Sequence, residues 1–317
     1  MIATVTLNPA IDKTIVVPGF SIGRTNRGQV ERVDLGGKGI NVAKAVRRLG
    51  CPVSAFGFMA SNDGHAIGDE LAAAGISNEF IYVPGQVRVN LKLKDPATGT
   101  ETEINEPGFN VEPEQLRRLE TKIRQNAGRY SVIVFSGSLP PGVPATVYAD
   151  FIGIAKQCGA RTILDAAGAA LKNGVAAHPD LIKPNRAELE ELLGTRIATE
   201  EELQQAAFEL LALGPGMVVI SLSKDGALAA SAENSWRARP PAVKAASSIA
   251  AGDSMVAALA YAMEKNLPPL EAIRLAVAAG TATAVMRGSN VAERDLIDQI
   301  LPQVSIEERY QPIMAGR

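Results

Sequence analysis

The chain has 317 residues, 46% of them hydrophobic and 21% charged, with a formal net charge of −2. That near-neutral balance excludes a general nucleic-acid or membrane-surface binder, but leaves room for a small anion in a local basic pocket. The length exceeds the roughly 250–300 residues at which one core stops growing, so one large domain with a subdomain, or two domains, is expected. No linker forces a split, and a single domain over 1–317 is the reading adopted.

In chain order, the opening "MIATVTLNPAID" has no basic region and no cleavable apolar run. It reads as a strand followed by a loop, not as a leader peptide. No apolar run approaches the ~20 residues that span a bilayer. Cys51 and Cys158 lie far apart and outside any C-x-x-C pair. Unpaired thiols in a reducing, cytoplasmic setting are expected.

Residues 13–37 read as a hairpin. It runs into "DLGGKGINVAKAVRRLG" (34–50), where glycines open an amphipathic helix. Glycine lets backbone N–H groups come close to a ligand; Lys38 adds charge and Asn41 an amide one turn in. The spacing is neither GxxxxGK[ST] nor GxGxxG, and a plain helix start is the alternative. Residues 87–108 read as a second hairpin. Its first strand carries Val87, Val89, Leu91 and Leu93 on one face, and Arg88, Asn90, Lys92 and Lys94 on the other. The cationic face is either a solvated exterior or a lid that presents Arg88, Asn90 and Lys92 to an anionic substrate.

From residue 131 onward, β-branched runs at 131–138, 161–166, 180–185 and 217–223 alternate with helical stretches at 146–157, 186–193 and 200–213. Such alternation predicts an α/β fold with a parallel sheet covered on both faces. Ligands then bind at the carboxyl ends of the strands, which marks Ser136, Ser138, Asp165, Lys183, Asn185, Ser221 and Ser223. In "KPNRAELEEL", Asn185 and Glu188 share one face of a helix start. They form either a capping box or an amide–carboxylate pair that orients Mg²⁺-bound water. Residues 218–228 read as an ordinary hairpin through a Lys-Asp-Gly turn. In "SSIAAGDSMVAALAYAM" (247–263), small residues precede a helix whose first turn holds Asp253. Helix N-termini attract anions, and no large side chain blocks this one. His65 and His178 are the only histidines and sit in unrelated contexts, so zinc or Ser–His chemistry has little material. One tryptophan argues against stacking on nucleic acid.

The ordered set "GGKGINVA", "FSGSLPPGV", "KPNRAELEEL" and "AAGDSMVAALAYA" resembles the ribokinase-like (phosphofructokinase B type) sugar kinase family over nearly the whole chain. "NPAID" and "VNLKL…TEINEPG" resemble its hexose-phosphate branch, which includes 1-phosphofructokinases and tagatose-6-phosphate kinases. The resemblance implies a three-layer fold: a mostly parallel central sheet flanked by helices, with a small β lid over about 11–36 and 87–107. It implies phosphoryl transfer from Mg²⁺-ATP to a ketohexose phosphate. Fructose 1-phosphate is favoured, tagatose 6-phosphate and fructose 6-phosphate are alternatives, and a catalytically weakened sugar-phosphate sensor is the rival class.

By matching positions, the resemblance makes Asp253 the base, with Ala250, Ala251 and Gly252 as the anion hole. Asp12, Gly37 and Asn41 would hold sugar hydroxyls. Arg24, Arg27, Lys38, Arg88 and Asn90 would meet the sugar's phosphate, with Ser138 nearby. Asn185 and Glu188 would organise Mg²⁺, Glu188 through water. Lys183, Asn185, Ser221, Ser223, Gly226, Ser248, Gly280 and Thr283 would line the ATP site. Clasped lids imply a homodimer. The chain departs from the family pattern at Ala250 and Ser223, where glycine is usual, and at Ser248, where threonine is. Should position 250 require φ > 0, its alanine costs about 1 kcal/mol or more.

Overall fold

In the computed structural model, which describes residues 1–247 and 249–310, the β-branched runs form the middle of a large sheet. The strands are β1 (Ile2–Thr6), β2 (Ala10–Val16), β3 (Gln29–Gly36), β4 (Val53–Ala60), β5 (Ser77–Val83), β6 (Arg88–Asp95), β7 (Thr100–Asn105), β8 (Val132–Ser136), β9 (Arg161–Asp165), β10 (Leu181–Ile182), β11 (Met217–Ser221), β12 (Ala227–Ser231), β13 (Asn234–Arg239) and β14 (Ser305–Tyr310). The helices are α1 (Lys38–Arg48), α2 (His65–Ala73), α3 (Pro113–Asn126), α4 (Val147–Gln157), α5 (Gly168–Val175), α6 (Arg186–Leu193), α7 (Glu200–Leu211), α8 (Ala251–Glu264), α9 (Pro269–Ala284) and α10 (Arg294–Ile300).

The large sheet runs β14-β13-β12-β11-β10-β9-β8-β1-β4-β5. It is parallel from β5 to β11 and antiparallel from there to β14. β1 and β4 are buried at every position, as strands covered on both faces must be. Residues 218–228 do form a hairpin, with Ser221 opposite Ala227. Among the described residues, no helix is long and apolar enough to cross a membrane.

The segment after β1 is not an extended loop: β2 begins at Ala10, so Asp12 is a strand residue. β2 and β3 form the first hairpin and β6 and β7 the second. The two join through a parallel β2–β6 pair that sets Asp12 against Asn90. The result is a separate four-stranded sheet, β3-β2-β6-β7. β3 then feeds directly into α1.

Two helix starts aim at the same crevice. α1 is buried nearly all round in its first two turns, through Ile40, Asn41, Val42, Ala43 and Val46. α8 is rich in alanine and packs closely against α9. That approach needs Gly280, because a Cβ there would lie 2.7 Å from Met255 Cγ.

Candidate active site

The carboxyl ends of β9 and β10 bring charge into the crevice. Asp165, at the end of β9, is 1% exposed. It faces the Lys183 amine at 3.3 Å and the Lys38 amine at 3.4 Å, and accepts a hydrogen bond from the Ser136 hydroxyl at 3.2 Å. Burial works against its charge, but the two ammonium groups and the hydroxyl outweigh it and hold its carboxyl below the usual range. Asp165 in turn, against burial, keeps the Lys38 amine protonated well above the ordinary lysine range.

α1 starts at Gly37, with φ 121° and no side-chain cap. A Cβ there would sit 3.0 Å from Pro9 Cα, so glycine is required by both conformation and space. One turn on, the Asn41 amide donates to Asp253 at 2.8 Å. Asp253 lies in the first turn of α8, 7% exposed. Desolvation lifts its pKa to about 6, and the Lys38 charge restrains the rise. Ahead of it, the chain turns through Ala250 at φ 60° and ψ −3°. That left-handed residue leaves the next N–H groups free at the helix start, where an intrahelical partner is lacking. The Lys183 amine stands beside them, 3.6 Å from where a Cβ on Gly252 would lie.

Of the two readings of Asn185 and Glu188, the capping box is present. Asn185 Oδ1 accepts from the Glu188 N–H and Glu188 Oε2 from the Asn185 N–H, each at 2.9 Å. The capping box uses one Glu188 oxygen; the other lies 4.0 Å from the Lys38 amine. Asn185 also bridges to Ser221 on β11. The turn beyond is Ser223–Asp225, with Ser223 at φ 52° and Gly226 at φ 87°.

On the small sheet, Asn90 donates to Asp12 at 2.8 Å. Burial raises the Asp12 carboxyl, while Asn90 and Arg88 oppose the shift. The side-chain carbonyls of Asn41 and Asn90 and Nε of Arg88 are buried without a partner, as groups awaiting a polar ligand would be. Ser138 is exposed and accepts from the Asn8 amide at 3.4 Å. Arg24 and Arg27 lie on the exposed stretch between β2 and β3.

Two expectations are corrected. Lys92 does not reach toward a substrate: its amine is paired with Glu101 at 3.3 Å and Glu103 at 3.0 Å on the neighbouring strand. Thr283 does not line an open surface. It is 0% exposed, donates to Ser254 at 2.8 Å and accepts from the Ala292 N–H at 3.2 Å, tying α8, α9 and the following loop together. Ser248 lies outside the described residues. Sequence reasoning marked Asp165 only as one polar strand end among several, and Asn8 not at all. Asn8, two residues past the end of a fully buried strand, was the available signal.

The pattern of the pfkB family carbohydrate kinases matches residues 5–295. The chain belongs to that family. A 1-phosphofructokinase from Rhodobacter capsulatus is 37% identical over 278 residues, covering 87% of this chain and 88% of that protein. A 1-phosphofructokinase from Bacillus subtilis is 36% identical over 306 residues, covering 96% and 99%. The tetrameric inhibited form of phosphofructokinase-2 from Escherichia coli superposes with a TM-score of 0.86 at 31% identity, over 95% of this chain and 98% of that one. Within this kinase, the two glycine positions that carry a side chain, Ala250 and Ser223, are both in the left-handed region, at φ 60° and 52°. Their departure from the family's glycine therefore puts backbone strain at both turns.

Proposed function

We propose that this pfkB kinase transfers the γ-phosphoryl group of ATP to the free primary hydroxyl of fructose 1-phosphate, giving fructose 1,6-bisphosphate. The observation that carries the reading is the juxtaposition at α8: a buried carboxylate, uncapped N–H groups and two lysines around one small space. With a pKa of about 6, Asp253 is ionised at neutral pH and accepts the hydroxyl proton as the new O–P bond forms and the bond to ADP breaks. The N–H groups around Ala251 and Gly252, with Lys38 and Lys183, stabilise charge on the equatorial oxygens.

Asp12, Gly37, Asn41 and Asn90 hold the sugar hydroxyls, while Arg88 and Ser138, with Arg24 and Arg27 from the β2–β3 stretch, meet the sugar's phosphate. Lys183, Asn185, Ser221, Ser223, Gly226 and Gly280 border the nucleotide. Among the described residues, no group of three or more His, Cys, Asp or Glu side chains converges as a metal cage. The donors fit Mg²⁺ held by phosphate oxygens and water, and Asn185 and Glu188 would hold that water. Bound there, the ion would neutralise phosphate charge.

The chain acts as one domain over 1–317, in the cytoplasm, and as a homodimer. The small sheet ends in two exposed edges, β3 and β7, with Val30, Val33 and Ile104 48%, 52% and 53% exposed, and uncovered edges tend to pair. An ATP-consumption assay with fructose 1-phosphate, fructose 6-phosphate and tagatose 6-phosphate tests the substrate. The highest kcat/KM is expected for fructose 1-phosphate; a higher value for either alternative overturns the assignment, and turnover of none by folded protein favours the sensor. Sedimentation tests the dimer.

A further inference from the structure

Arg237 has no place in the chemistry above, yet it is the most heavily engaged buried cation on the nucleotide side. It lies on β13 and is 6% exposed. Its Nη1 donates to three backbone carbonyls: Asp225 at 2.7 Å, Ala238 at 2.9 Å and Ala227 at 3.2 Å. Its Nε is paired with Glu200, in the first turn of α7. Asp225 and Ala227 flank Gly226, so one guanidinium grips both sides of the turn that follows β11.

That turn does not hold its shape by local preference. Ser223 enters it at φ 52°, a conformation disfavoured for any residue with a Cβ. Gly226 leaves it at φ 87°, and a Cβ there would run into the Ala238 carbonyl oxygen. The internal bonds are few: Leu222 N–H to Gly226 C=O at 2.8 Å, Asp225 N–H to Leu222 C=O at 3.0 Å and Gly226 N–H to Ser223 C=O at 3.1 Å. Ser223, which faces the nucleotide in the reading above, is carried on this strained segment, and Ser221 ends the strand that leads into it.

We infer that Arg237 is a positioning residue for nucleotide binding: its guanidinium, oriented by Glu200, clamps the Asp225 and Ala227 carbonyls on either side of Gly226 and so presents the Ser223–Asp225 turn to ATP. The inference rests on the nucleotide site proposed above. The role calls for a planar fork with several fixed donors, and a lysine ammonium on a flexible stem does not reproduce it. Glu200 also meets Arg239 at 3.0 Å and Arg309 at 3.7 Å. Its carboxylate therefore ties the clamp to the β13–β14 edge.

The test uses the full-length chain, with Arg237→Lys, Arg237→Gln and Arg237→Lys combined with Ser223→Gly. Calorimetry reads ATP binding directly, and steady-state assays read both KM values. For the two single variants, Kd and KM for ATP should rise about tenfold, while KM for the sugar phosphate and kcat stay within about threefold. Adding Ser223→Gly should recover at least half of the lost ATP affinity on a logarithmic scale, because glycine adopts the turn without the clamp. A lowered Tm with unchanged ATP binding, equal rises in both KM values, or no recovery by glycine each overturns the inference. Should the Arg237 variants fail to fold, Glu200→Gln leaves the guanidinium in place but unanchored. It should weaken ATP binding about threefold, and an unchanged Kd overturns the inference. Absence of ATP binding by the parent chain would instead remove the nucleotide site itself, and the inference with it.

Discussion

Removing one methyl group, Ala250→Gly, probes the turn that precedes the anion hole. Ala250 sits at φ 60° and ψ −3°, and its carbonyl accepts the Ser254 N–H at 2.8 Å. It thus has the conformation a glycine would take. Alanine in the left-handed region costs about 1–2 kcal/mol. Glycine relieves that strain but makes the unfolded chain freer, which costs about 0.4–1 kcal/mol. The net gain is about 0.5 kcal/mol, or roughly 1–2 °C in Tm for a chain of this size. The strain is present in ground and transition states alike, and the N–H groups stay where they are. Turnover should therefore remain within about twofold of the parent. Calorimetric melting and a coupled assay at saturating ATP measure both quantities. A tenfold rise in kcat, equivalent to about 1.4 kcal/mol of transition-state stabilisation, would refute the reasoning, because the methyl would then be distorting the anion hole. Ala250→Val is the counterpart: a β-branched residue resists this region, so turnover should fall at least about tenfold.

Asp253→Asn should lower kcat by about 10²-fold or more while calorimetry still detects ATP binding; near-normal turnover would remove Asp253 as the base. The same group sets a pH dependence. Folding raises its pKa from 3.8 to about 6, so the fold favours the protonated form and the wild type loses stability as pH rises from about 4 to 6. By pH 7, Asp253→Asn should be the more stable protein, by up to ~3 kcal/mol, and a denaturation series at pH 4 and pH 7 showing no crossover contradicts the assignment. In kcat/KM, the acid limb should lie near pH 6 and vanish in the variant's residual activity. Asp165→Asn leaves Lys183 and Lys38 facing a neutral amide; loss of a buried partner costs about 3 kcal/mol, seen as a Tm lowered by roughly 6–12 °C. Lys92→Ala should leave KM for the sugar phosphate within about twofold, since its amine is held by Glu101 and Glu103; a tenfold rise would restore it to the substrate site.

What the chain showed in advance was mostly local. Both hairpins were legible because alternation and turns are properties of neighbours, and so were α6 and α7, which open with capping-box residues. The parallel β2–β6 pairing was not, because nothing local records which hairpin lies beside which. Lys92 misled for the same reason: its strand shows a cationic face, but Glu101 and Glu103 are on the returning strand. Asp165 looked like any polar strand end until α1 delivered Lys38 across 127 residues. Thr283 shares a helix with Gly280, and only the fold turns its hydroxyl inward to Ser254. The strain at Ala250 and Ser223 was readable only as the replacement of a glycine; the sign of φ needed the backbone.

The parallel β2–β6 seam also fixes an order of assembly. It joins Asp12 to Asn90, 78 residues further along the chain, and β3, α1, β4, α2 and β5 lie between them. A chain emerging during synthesis can form the β2–β3 hairpin early, but the seam must wait for residues beyond 88. Closing that long loop also costs more chain entropy than the short β2–β3 turn. The sugar-gripping surface should therefore be among the later parts of the N-terminal half to mature. Substitutions along the seam should slow the gain of activity on refolding more than they slow the gain of helical signal.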